Sequence, residues 1–314
     1  SHGITDPRTG HEFLTIPVIK KEDSTMKVRQ KYILFITIIL FSIVSFSGCA
    51  PKTKIRGSDE MFTKNPVNKI AILSAGNVNW PRMGKGGNVL VVTHAKQANE
   101  AILSHVKQVL TDKGYEIIYA EPVGVGFNCT NWWLLEDPEA ENEEEELKKI
   151  DNVDPIFKYP KFQEECEYTG AVLNLIGQFE KAINMKQLYT FAPRKEDVEI
   201  IQKETSADTI CLHRVYGKKF SAGRKAGAFA LSVVAAMFGA YGGSSPHDMV
   251  ESYFVFIDAK TGAVLWQYGL YTTGDPLKPD QENIARVLKF FPAKNECFDE
   301  QSCPKGKDGF FYCK

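Results

Sequence analysis

Seven cysteines and six histidines carry most of the side chains that could do covalent or metal chemistry in this 314-residue chain, and their spacing points to structure rather than catalysis. Cys129 and Cys166 bracket a long polar stretch whose two ends a disulfide could pin together. Cys297, Cys303 and Cys313 crowd into a tail with Pro304, Gly306 and Gly309, where a segment without apolar periodicity needs a covalent staple. Cys211 lies in an apolar strand pattern and reads as a buried free thiol. A zinc site in the tail would need paired short Cys spacings or a nearby His, and neither is present. His94 and His105 are eleven residues apart on one predicted helix, three turns from each other, too far to share a metal. His213 falls within a predicted strand and reads as a structural or solvent-side residue rather than a base. Gly84-Lys85-Gly86-Gly87 lacks the spacer and the Ser/Thr of a phosphate loop, and the chain has no G-x-S-x-G elbow and no H-E-x-x-H. No catalytic residue, metal or cofactor is therefore assigned. The alternative is a hydrolase site at the C-terminal ends of the strands, near Ser74, Asn77 and the loop of Trp80.

The compartment is set by Met26 to Cys49. This stretch opens on Lys27, Arg29 and Lys31, runs uncharged and apolar from Tyr32 to Phe46, and closes on Ser47-Gly48-Cys49. A basic head, an apolar middle and a small-residue exit make an export signal. The apolar run is shorter than the ~20 residues that a spanning helix wants. Phe46-Ser47-Gly48-Cys49 resembles the lipobox of bacterial lipoproteins, which implies that Cys49 is diacylated and leads the mature chain. Residues 1–25 precede Met26 and read as an upstream extension. Without residues 1–48 the chain keeps 266 residues, with 32 Lys/Arg against 35 Asp/Glu, so charge gives no case for nucleic acid. In the lipoprotein resemblance, Ala50 where an inner-membrane protein would carry Asp implies the periplasmic face of the outer membrane, with the membrane itself a partner through the Cys49 lipid. In that oxidising compartment the six cysteines after Cys49 could form up to three disulfides.

The elements that must position these residues follow from periodicity. Residues 49–66 are polar and aperiodic, and read as a flexible tether. Val67 to Leu73 is a first strand, and Val89 to Val92 is a strand or the entry to a helix. His94 to Lys113 repeats apolar residues at three- and four-residue spacing and predicts an amphipathic helix ended by Gly114. Tyr115 to Ala120 is a second strand stopped by Pro122, and strand, helix and strand in this order favour parallel neighbours. Residues 123–168 form a long inserted loop, too poor in aliphatics for a core of its own. It holds the acidic run Glu143 to Glu146 and the pair Trp132 and Trp133, which reads as an interaction surface or as the foot that holds the loop down. Helices are predicted over 170–188 and 194–205, a strand over 208–220, and a hairpin of Val250–Ile257 and Ala263–Tyr271 turning through Asp258 to Gly262, with Trp266 packed across it. A closing helix spans 281–291. The fold class is α/β (α+β): a mixed sheet of about five strands with helices packed on it, in a domain spanning 67–292, followed by the Cys-rich tail 293–314.

Residues 226–243 carry no charge over 18 positions, which suits a membrane segment by length. A single crossing would leave the flanking strands on opposite sides of a bilayer, so the segment is buried or enters a membrane or a neighbouring subunit. The hairpin Asp258-Ala259-Lys260-Thr261-Gly262-Ala263-Val264-Leu265-Trp266 resembles a quinoprotein propeller blade, but a propeller repeats that unit and here it occurs once. The export signal with its lipobox, the N-K-I-A-I-L strand, the long helix to Gly114, the A-D-T-I-C-L strand and the terminal hairpin together resemble the α/β domain of outer-membrane lipoproteins. That group includes the TolB amino-terminal domain, the curli secretion lipoprotein and the penicillin-binding-protein activators. The resemblance covers about residues 67–122 and 190–291 and implies a non-catalytic domain that binds an envelope protein or forms a homo-oligomer. The 123–168 insertion and the Cys-rich tail depart from that pattern.

Overall fold

A computed structural model describes residues 53–80, 87–135, 147–220, 247–297, 301–307 and 309–313. All of them lie in one compact unit, Lys52–Lys314. In chain order the strands are β1 (Thr53–Gly57), β2 (Lys69–Asn79), β3 (Val89–Val91), β4 (Glu116–Val125), β5 (Cys129–Leu135), β6 (Lys148–Asn152), β7 (Phe157–Lys158), β8 (Thr209–Lys218), β9 (Met249–Asp258), β10 (Val264–Thr273) and β11 (Phe311–Cys313). The four longer helices are α1 (Val92–Asp112), α2 (Glu167–Asn184), α3 (Lys195–Thr205) and α4 (Gln281–Val287). The mixed sheet of the expectation is present, with eleven strands among the described residues instead of about five.

The sheet is built outward from β2. From Ile70 onward every residue of β2 is buried, because parallel neighbours flank it and helices cover both faces. β8 runs parallel on one side, and β4 runs parallel on the other, which confirms the expected strand-helix-strand unit. Beyond β8 the order continues antiparallel through β9, β10, β1 and β11. Beyond β4 the far end of β2 pairs with β3, which carries β5 and β6.

Side chains alternate across β2 into two cores. Ile70 and Ile72 meet α1 and α4 through Ile102, Val106, Leu110, Ile284 and Val287. Leu73 and Ala75 meet α2 and α3 through Val172, Leu175, Ile176, Val198 and Ile201. The result is three layers, helix on sheet on helix.

Local signals formed as the residues dictate. Gly114 has φ of +88°, and with Gly114 N donating to Thr111 O at 2.8 Å and Tyr115 N to Leu110 O at 3.1 Å it closes α1 in a Schellman motif. The Asp258 carboxylate accepts from Lys260 N, Thr261 N and Thr261 Oγ1, and Gly262 with φ of +74° completes the hairpin turn. Trp266 is fully buried across the hairpin, edge-on to Phe256 with ring centroids 5.6 Å apart.

Three expectations are corrected. The tether ends early: Thr53–Gly57 pairs with both β10 and β11, Glu60–Thr63 forms a helical turn, and Met61 and Asn65 are buried. Pro122 does not stop its strand. It lies inside β4 opposite Ser74, where the register slips, and among the described residues β4 has no strand on its outer side there, which is where a strand tolerates a residue without N–H. The insertion is not a loop, since β5, β6 and β7 lie within it. Among its described residues, Cys129 and Leu134 pack against Val78, Leu90, Ala95, Ala98 and Val125.

The tail's covalent staple is Cys303–Cys313, with Cα atoms 4.0 Å apart. The expected Cys129–Cys166 bridge is absent: Cys129 is a buried thiol in β5, and Cys166 is an exposed one at the start of α2. Cys297 is free and exposed, and Cys211 is free and buried, as its apolar setting implied. Cys49 and the expected signal before it, residues 84–86, the acidic run 143–146 and the apolar segment 226–243 lie outside the described residues. β8 and β9 are paired neighbours with Lys218 opposite Met249, so the chain leaves and rejoins the sheet at the same end.

Candidate functional site

The residues with the right types for chemistry converge on two consecutive positions of β8, His213 and Arg214, which point to opposite faces of the sheet. On the α1 face, His213 Nδ1 lies 2.8 Å from Ser74 Oγ, and Ser74 Oγ donates to Asn99 Oδ1 at 2.6 Å. Asn99 Nδ2 returns a bond to Ser74 O at 3.4 Å. Gly76 lets α1 come this close, because a Cβ there would stand 2.9 Å from Asn99 Cβ. All three side chains are fully buried, and the His213 ring stacks on Phe254 with centroids 4.5 Å apart.

A serine beside a histidine suggests a nucleophile and its base. The protons run the wrong way for that. Ser74 commits its one hydrogen to Asn99 Oδ1, so the network assigns His213 Nδ1 as the donor to Ser74 Oγ. His213 Nε2, the remaining acceptor, has no partner among the described residues. Burial also lowers the His213 pKa to about 3, so the ring is neutral and weakly basic. This cluster ties α1 to the sheet.

On the α2 face, Arg214 Nε lies 2.9 Å from Glu180 Oε2, with side chains 6% and 1% exposed. The guanidinium also sits over the rings of Tyr216 and Tyr253, at 5.2 and 5.8 Å. Burial raises the Glu180 pKa against the pull of Arg214. The Cys129 thiol is pushed up to about 12 by burial and then by the Glu180 charge, which makes it unreactive. Neither Arg214 nor Glu180 stands out in the sequence as half of a buried pair. Strict alternation reports exposure only when one face of a sheet is wet, and here helices cover both.

Asn77, proposed with Ser74 for a hydrolase, is spent on the backbone: its Oδ1 accepts from Gly126 N at 2.6 Å and its Nδ2 donates to Phe127 O at 3.3 Å. Asn79 does similar work, donating to Asn88 Oδ1 and Tyr216 OH and accepting from Val89 N. Asn77 thus splices the end of β2 to the insertion, and Asn79 splices it to β3 and β8. Trp132 is half-buried and edge-on to Tyr216, with centroids 6.2 Å apart, and Trp133 is half-buried beside Val89, Val91, Leu135 and Trp80. His94 lies 6.1 Å from Trp80, ring to ring. Among the described residues no group of three or more His, Cys, Asp or Glu is placed to hold a metal, and no described helix is long and apolar enough to cross a membrane.

The accessible feature lies at the edge of the sheet. A solvent-open groove of about 390 Å³ runs between α1 and β4, lined by Glu100, Ser104, Lys107, Gln108 and Thr111 of the helix and by Ala120 and Pro122 of the strand. The outer side of β4 pairs, among the described residues, only at its end, where Gly124 and Val125 meet β7 and Val123 O accepts from Tyr159 N.

No protein-family model matches the chain, and no curated protein matches it. Two solved structures of a PelC dodecamer from Paraburkholderia phytofirmans, one of them a point variant, are similar in part. The variant matches at 12% identity and a TM-score of 0.29, over 78% of this chain and 99% of that one. The second matches at 11% identity and a TM-score of 0.26, over 71% and 86%. Likeness at this level carries no argument about fold family or function.

Proposed function

We propose that the protein is a lipid-anchored, periplasm-facing envelope lipoprotein whose α/β domain is a non-catalytic binding or assembly module for another envelope protein or for further copies of itself. Its anchor is Cys49, at the end of a basic, apolar and small-residue signal. The observation that carries the binding half is the placement of polar chemistry: the Ser74–His213 pair is fully buried with its protons committed, whereas the open groove is bounded by a strand edge. Buried polar groups whose protons are committed to one another specify a core, and accessible edges meet partners. The order of elements, similar to the TolB amino-terminal group of lipoproteins, supports the same reading.

Two measurements test it. Radiolabelled palmitate enters the chain and is lost on Cys49→Ser, which also releases the protein from the membrane fraction. In mild detergent the protein exceeds its monomer mass, or cross-links to an envelope protein. A strict monomer from which no envelope protein is recovered overturns the proposal.

A second reading, a pore component acting through residues 226–243, is favoured by the return of the chain to Met249 beside Lys218. The uncharged 18-residue stretch lies between these two residues in the chain. Deleting 226–243 then abolishes ring assembly. Unchanged assembly and unchanged membrane extraction remove this reading.

A further inference from the structure

The groove beside β4 has a helix for one wall and a strand edge for the other, and the edge decides what can fill it. From Glu116 to Glu121, β4 bonds only to β2 among the described residues, with one irregularity of register between Ile117 and Tyr119, leaving its outward main-chain groups without a strand partner. Backbone N–H and C=O groups seek partners wherever water is displaced, and a row of them repeating every two residues is matched in register only by another extended chain. Both ends of the row are defined. Glu116 opens it after the turn at Gly114, and Pro122, followed by the β7 pairing, closes it. A six-residue segment therefore fits.

The walls set the side-chain chemistry. The α1 wall is largely polar, with Glu100, Ser104, Lys107, Gln108 and Thr111 in an exposed stripe at helical spacing and the buried Leu103 among them. The strand's own charges are both acidic, Glu116 and Glu121. Lys161 already answers Glu121 at 3.6 Å and lies over the Tyr119 ring at 4.2 Å, which leaves Glu116 exposed at the open end.

We infer that the α1–β4 groove binds an extended segment of a partner protein by strand addition to Glu116–Glu121, with polar residues toward α1 and a lysine or arginine beside Glu116. This rests on the protein-binding reading and names its surface.

The test uses the full chain in mild detergent with a capped octapeptide of alternating Thr and Lys as the probe. Three companion peptides are included: one with Glu in place of Lys, and two with backbone N-methylation at every second residue, one in each register. Expected are slowed hydrogen exchange over 116–121, at least tenfold weaker binding of the Glu peptide, and loss of binding in one N-methylated register but not the other. Ser104→Trp fills the groove from an exposed helix position and lowers affinity at least tenfold with the thermal midpoint unchanged. Equal binding of both N-methylated peptides, or protection outside 116–121, overturns the inference. So does concentration-dependent protection of 116–121 without peptide at a doubled mass, which makes the occupant a second copy. If Ser104→Trp leaves cross-linking to an envelope protein intact, the groove assignment fails and the protein-binding reading stands. If neither peptide nor envelope protein binds, both fail.

Discussion

His213 and Arg214 are neighbours in one strand, equally sealed from water, and they solve burial in different ways. His213 is buried neutral in a chain of uncharged hydrogen bonds to Ser74 and Asn99. Arg214 is buried with Glu180 as an ion pair held between aromatic rings. The neutral cluster asks little desolvation of its members and leaves one acceptor, Nε2, unfilled. The ionic pair costs more to bury and depends on both partners being present. The first therefore weakens in acid, and the second is the more sensitive to mutation.

The largest expected effect breaks the ionic side. Glu180→Gln leaves the Arg214 guanidinium buried without its counter-charge and costs about 3–5 kcal/mol in urea unfolding. Replacing both, Glu180→Met with Arg214→Met, recovers most of that loss.

The next effect separates the two sides by pH. The His213 pKa in the folded protein, about 3, lies below its unfolded value near 6.5. Its stability contribution is thus complete above pH 6.5 and is lost as the pH falls toward 3, because the unfolded ring takes up a proton that the folded ring refuses. At ~1.4 kcal/mol per unit, the loss from pH 6.5 to 4 is roughly 3 kcal/mol, and His213→Gln removes it. Glu180 has the opposite sign: its raised folded pKa makes stability fall as the pH rises through the window above the ordinary carboxylate value of 4.5. The double Met variant keeps the histidine slope and loses the other.

A smaller effect tests the direction of the proton chain. Ser74→Ala strands the His213 Nδ1–H and the Asn99 Oδ1 together and costs about 1–3 kcal/mol. The last prediction carries no energy. Cys211 lies on the His213 side and Cys129 near Glu180, so native protein labels with iodoacetamide at Cys166 and Cys297 while Cys129 and Cys211 resist until it unfolds. Labelling of Cys129 alone would show that the ionic side opens on its own.

What the sequence disclosed follows the range of the interactions. The α1 helix with its Gly114 stop, the Asp258–Gly262 turn and the parallel β2–β4 unit are set by residues within a turn or a helix length of each other, and periodicity finds them. The Ser74–Asn99–His213 cluster joins positions 25 and 139 residues apart, and no pattern of spacing reports that. β5 and β6 were hidden because their pairing partners, not their own alternation, make them strands: Cys129–Leu135 reads as irregular until β3 lies beside it. β1 was hidden for the same reason, since Thr53–Gly57 is a strand through β10 and β11. The groove was legible only as its two halves, a helix and a strand, and needed the third dimension to become one surface.

The early start of β1 changes how the domain would be moored. Three residues separate Cys49 from Thr53, and fully stretched the four Cα-to-Cα steps reach at most about 14 Å. β1 is gripped by β10 on one flank and, on the other, by β11, whose Cys313 is bonded to Cys303. Acyl chains on Cys49 would thus hold a stapled sheet edge against the leaflet on a short leash instead of letting a domain swing on a long one. The α1–β4 groove, across the sheet from that mooring, would then stay presented to the periplasm, and lengthening the leash by inserted residues would cost orientation before it cost stability.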